Sequence, residues 1–96
     1  MESKISEEKL NNYFSLTQQA LKKLKIAAPE ESHLRKIAND YLDMAQRYFE
    51  DAQHFRKKGD FVTAFASLNY AHGWLDAGAR LGIFDVDRDS RLFTVG

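Results

Sequence analysis

Three polar side chains on one predicted helix have the types and spacing that acid–base chemistry requires. His72 and Asp76 lie one turn apart, and Asn69 lies near them on the same side. An imidazole beside a carboxylate is the minimum for proton transfer or for two metal ligands. The sequence shows no nucleophile and no third ligand near them. We therefore interpret His72 as a core residue whose N–H is satisfied by Asp76 or by a carbonyl, and we assign no catalytic residue, metal or cofactor.

Arg80 extends this group, because it lies four residues after Asp76 and can pair with it along the helix. The sequence thus predicts a polar core cluster of four side chains: Asn69, His72, Asp76 and Arg80.

Asp85, Asp87 and Asp89 alternate as carboxylates do at the start of a calcium-binding loop. An EF-hand loop also needs a glycine at its sixth position and a glutamate at its twelfth, where this chain has Ser90 and Gly96. We expect an exit turn with solvated carboxylates and no calcium.

Arg47 and His54 lie on the polar side of the second predicted helix, where an RNA phosphate can be held and cleaved. The stretch KKGDFVTAFASLNYAH resembles HEPN-type helical domains, some of which are ribonucleases that use an Arg and a His separated by four to six residues. That motif usually has a polar residue after the Arg, whereas this chain has Tyr48. A HEPN-like RNA-binding protein or ribonuclease is our alternative function, and a solvated helix face is the interpretation we favour.

The composition limits the function classes. The chain has 96 residues, 44% of them hydrophobic, which suits one small domain with a packed core. Its 14 basic and 14 acidic side chains cancel, so any contact with nucleic acid needs a local patch. The absence of cysteine excludes disulfides and thiolate metal sites. No stretch has the pattern of a signal peptide or a membrane span, so we expect a cytoplasmic protein without a membrane partner.

The elements that position these side chains are three amphipathic helices, predicted near 6–28, 32–58 and 60–84 from apolar residues at three- and four-residue spacing. The sequence RKKGD between the last two is short, which favours antiparallel neighbours. We predict one domain over 1–96, an all-α, three-helix, antiparallel up-and-down bundle. A short tail, 85–96, packs partly on the third helix.

The third predicted helix is apolar on two sides, which is more surface than two neighbouring helices cover. Its three glycines weaken a helix interior, so we interpret Gly73, Gly78 and Gly82 as points of close packing. We expect an interaction surface around Tyr70, Trp74 and Leu81.

The chain also resembles a known family in a combined pattern that is most specific between residues 48 and 84. The matching residues are Tyr48-Phe49, Asp51-Ala52, Phe55, Lys58-Gly59-Asp60, Ala64-Phe65, Tyr70-Ala71, Gly73, Leu75-Asp76-Ala77 and Arg80-Leu81-Gly82. This pattern is similar to a small archaeal family catalogued as domain-of-unknown-function family 357. The resemblance implies a stand-alone three-helix up-and-down bundle with no established activity.

We therefore expect a non-catalytic protein-interaction or self-association module, whose partner is a second copy or another protein. A peptide-binding helical hairpin is a further alternative, for which three helices are a short scaffold.

Overall fold

Each helix begins at a side chain that caps it. The structure, a computed structural model, describes residues 6–89 and 91–93. Ser6 Oγ accepts a hydrogen bond from the backbone of Lys9 at 3.1 Å, and α1 follows as Glu7–Lys23. Ser32 precedes α2, His33–Lys57, and Asp60 precedes α3, Phe61–Leu81, with the same kind of bond. These caps satisfy N–H groups that have no partner inside the helix.

The helices run up, down and up. Asn11 in α1 accepts a hydrogen bond from Arg56 near the end of α2, so these two helices are antiparallel. The ring of Tyr41 in α2 meets that of Trp74 in α3, with 5.0 Å between centroids. Tyr41 lies in the first half of its helix and Trp74 in the second half, so α2 and α3 are also antiparallel. The all-α three-helix bundle is confirmed.

The first helix ends at Lys23, before its predicted end near 28. Leu24 is extended, with ψ 148°, and the chain enters a two-residue strand, β1, Lys25–Ile26. It pairs antiparallel with β2, Phe84–Asp85. The spacing of apolar residues continues to Ala28 and predicted a longer helix. The backbone is extended there instead, because it pairs with a strand far along the chain.

The third helix ends at Leu81, before its predicted end near 84, because Gly82 adopts a left-handed conformation with φ 79°. The segment after α3 contributes side chains to the core, whereas the sequence predicted a tail that only packs partly on α3. Phe84, Leu92 and Phe93 are all less than 5% exposed. Ser90 and residues 94–96 of the predicted tail lie outside the described residues.

The core has two parts. The smaller, near the start of α3, contains Leu10, Phe14, Ala52, Ala64 and Leu68. The larger contains Ala20, Ala38, Ala45, Leu75, Ile83, Phe84, Val86, Leu92 and Phe93. Alanines at the α2 positions let the helices approach closely, and large side chains from the C-terminal segment fill the remaining space. Among the described residues, no helix is long and apolar enough to cross a membrane.

Candidate interaction surface

His72 joins α3 to α1 and to the C-terminal segment. Its Nδ1 lies 3.0 Å from the hydroxyl of Thr17, and its Nε2 lies 3.0 Å from the carbonyl oxygen of Leu92. A carbonyl only accepts, so Nε2 carries the proton and donates it. In the neutral ring Nδ1 then accepts from Thr17. Both nitrogens are thus engaged in holding three segments together.

The partners of His72 lie outside the predicted polar cluster. Asn69 is exposed, and Asp76 and Arg80 lie one and two turns beyond His72 on the same helix. Thr17, which is fully buried, is a hydrogen-bond partner of His72 that could not be assigned from the sequence. Its signal was a hydroxyl on the apolar stripe of the first helix, where a buried polar group needs a partner.

Two of the three predicted interaction residues lie open on the surface. Tyr70 is 62% exposed and Leu81 is 61% exposed. The ring of Tyr70 stacks on that of Tyr48 from α2, with 5.2 Å between centroids. Trp74 is only partly exposed, because its ring meets Tyr41 edge to face. The side of Trp74 that faces α2 is therefore covered within the chain.

Tyr70 and Leu81 belong to a longer stripe along α3. We call this stripe the α3 outer face, and it consists of Val62, Ala66, Tyr70, Gly73, Ala77 and Leu81. At 100° per residue these six positions fall within a 100° arc of the helix. Five of the six are exposed and the remaining one, Ala77, is partly exposed. None of these six side chains is charged, and the exposed Arg80 falls at the same edge of the arc as Val62.

The three glycines of α3 and its end have different roles. A Cβ added at Gly78 would overlap the ring of Phe84, which makes this the predicted point of close packing. Gly82 ends the helix through its left-handed conformation, so the packing interpretation is wrong there. A Cβ added at Gly73 would meet nothing within 4 Å. Gly73 is therefore an open notch on the α3 outer face, against which nothing in residues 6–89 and 91–93 packs, so the packing interpretation is wrong there as well.

Arg47 and His54 lie on the exposed side of α2. The guanidinium of Arg47 pairs with Asp43 one turn earlier, at 2.9 Å, and both side chains are more than half exposed. His54 lies against the edge of the Phe55 ring. Six residues lie between Arg47 and His54, which places them about 10 Å apart along the helix axis. The ribonuclease hypothesis stays a prediction, since the geometry adds no third group to the pair.

The alternating aspartates hold turns. Asp85 accepts from the backbone of Asp87 at 3.0 Å, and Asp89 accepts from those of Arg91 and Leu92. The second oxygen of Asp89 lies 3.6 Å from the Lys23 ammonium. Within residues 6–89 and 91–93, no group of three or more His, Asp or Glu side chains is placed to hold a metal ion.

An open groove of about 420 Å³ lies where α1 begins and α2 ends. It is lined by Glu7, Gln53, Arg56, Lys57 and Phe61. The guanidinium of Arg56 lies over the ring of Phe14 and donates to Asn11. The groove carries both signs of charge, and its one guanidinium is already engaged within the chain.

Comparison with known proteins gives a family and nothing closer. The sequence profile of a family described as "Protein of unknown function (DUF357)" matches residues 12–84. No curated protein and no solved structure matches the chain. The matched segment includes the whole of α2 and α3, and therefore the α3 outer face.

Proposed function

The chain belongs to the DUF357 family, and on that premise we propose that it is a non-catalytic protein-interaction module that binds through the α3 outer face. The family's description names no activity, so the proposal rests on the chain's own surface. We also propose a cytoplasmic location and an archaeal source, both of which rest on the sequence expectations alone.

One observation carries the proposal. The described residues include four large apolar side chains that are about half exposed or more, and three of them, Val62, Tyr70 and Leu81, lie on the α3 outer face. Scattered exposed apolar residues are ordinary on a protein surface, but apolar residues aligned along one helix face are typical of a binding site. Burying these three side chains contributes roughly 1 to 2 kcal/mol each before the costs of association.

The hydrogen bonds of His72 support the proposal that the chain is not an enzyme. Its two ring nitrogens are used by Thr17 and Leu92, so the imidazole has no free nitrogen with which to move a proton to a substrate. His72 lies on the side of α3 that is opposite the α3 outer face, where it links α3 to α1 and to the C-terminal segment.

The experiment compares two double variants that introduce the same charges in different places. Tyr70→Glu with Leu81→Lys disrupts the α3 outer face. Asn39→Glu with Gln46→Lys places the same two charges on exposed positions of α2. Each protein is immobilised and exposed to native cell extract supplemented with untagged wild-type chain, and the retained proteins are quantified.

We expect wild type and the α2 variant to retain a protein that the α3 variant does not. That protein is then purified, and its binary complex with the chain is measured directly. Equal retention by all three proteins, with circular dichroism showing each of them folded, would contradict the proposal.

A further inference from the structure

We draw no further inference here: the strongest candidate, the α3 outer face, carries nothing beyond the proposed function, because nothing in the part of the chain that the structure describes shows what covers it.

Discussion

At the scale of single residues, the chain uses one histidine as a joint between segments distant in sequence. Thr17 is fully buried, so its hydroxyl has no access to water and depends on the imidazole of His72. Nε2 of the same ring donates to the carbonyl oxygen of Leu92, which is followed by the buried Phe93. Loss of either bond leaves a polar group without a partner in an apolar environment, which costs more than the bond contributes on its own.

Thr17→Val tests this joint. Valine has nearly the same shape as threonine but no hydroxyl, so Nδ1 of His72 loses its donor. We expect the free energy of unfolding to fall by about 1 to 3 kcal/mol, measured by urea denaturation. Ser15→Ala removes a hydroxyl from an exposed position of the same helix and should change stability by less than about 0.5 kcal/mol. Equal stability of Thr17→Val and wild type would show that the bond is not needed.

Asp60 is a residue whose charge matters to its helix. The hydroxyl and the backbone N–H of Thr63 donate to its carboxylate and hold the pKa of this carboxyl below its ordinary value of 3.8. A carboxyl whose pKa is lower in the folded than in the unfolded state stabilises the fold at pH values above its unfolded pKa. This contribution is lost as the pH falls through the folded pKa. The cap of α3 is therefore weakened only in acid.

Asp60→Asn separates the charge from the cap, because asparagine also caps helices but does not titrate. We expect wild type to be the more stable of the two at neutral pH, and the difference to shrink as the pH falls below about 3.8. Thermal unfolding midpoints measured from pH 7 down to acid give this difference. A difference that stays constant with pH would mean that the charge contributes nothing.

At the scale of elements, Phe84 packs closely against α3 at Gly78. The ring lies where a side chain on Gly78 would be, and it belongs to the short strand β2 that pairs with β1. This contact fixes the strand pair against the helix. It also explains a glycine within the helix, which otherwise costs up to about 1 kcal/mol relative to alanine.

Gly78→Ala and Gly73→Ala form a matched pair in one helix. Alanine at 78 overlaps the Phe84 ring, which is 3% exposed and has little room to move, so we expect a loss of about 1 to 3 kcal/mol. Alanine at 73 meets no neighbour and favours the helix, so we expect a gain of about 0.5 to 1 kcal/mol. Chemical denaturation of both variants measures the two effects. A loss at both positions would contradict the distinction between a packed and an open glycine.

The sequence was sufficient for elements whose signals are local. The helix starts predicted near 6, 32 and 60 coincide with the capping residues Ser6, Ser32 and Asp60. The helical bundle was readable from apolar spacing, because caps and amphipathic faces act within a few residues. The strand pair was not readable, since β1 and β2 lie about sixty residues apart and each has only two residues. Arg88 illustrates the same limit: nothing in its type predicts its left-handed backbone, with φ 53°, in the turn closed by Val86 and Asp89.

The candidate surface was partly readable for the same reason. Tyr70 and Leu81 were predictable because two helices cannot cover every side of an apolar third helix. Trp74 was not, since its exposure depends on where the ring of Tyr41 lies across the helix pair. The open notch at Gly73 also required the structure, because sequence alone does not distinguish a packed glycine such as Gly78 from an open one.

At the scale of the whole molecule, self-association through the α3 outer face would link stability to protein concentration. Ligands that bind only the folded state raise its stability by mass action, and a second copy bound at this face would be such a ligand. The unfolding midpoint of a dimer therefore rises with protein concentration, whereas that of a monomer does not.

We expect the thermal midpoint of wild type to rise as the protein is concentrated. Leu81→Lys should remove this dependence, because a lysine at the end of the face must be desolvated in a complex that buries this face. At the lowest concentration the two proteins should unfold at nearly the same temperature, since Leu81 is 61% exposed and adds little to the core. The α2 control variant should follow the wild-type concentration dependence. Scanning calorimetry over this range measures all three, and a wild-type midpoint independent of concentration would show that folding and association are not coupled in this chain.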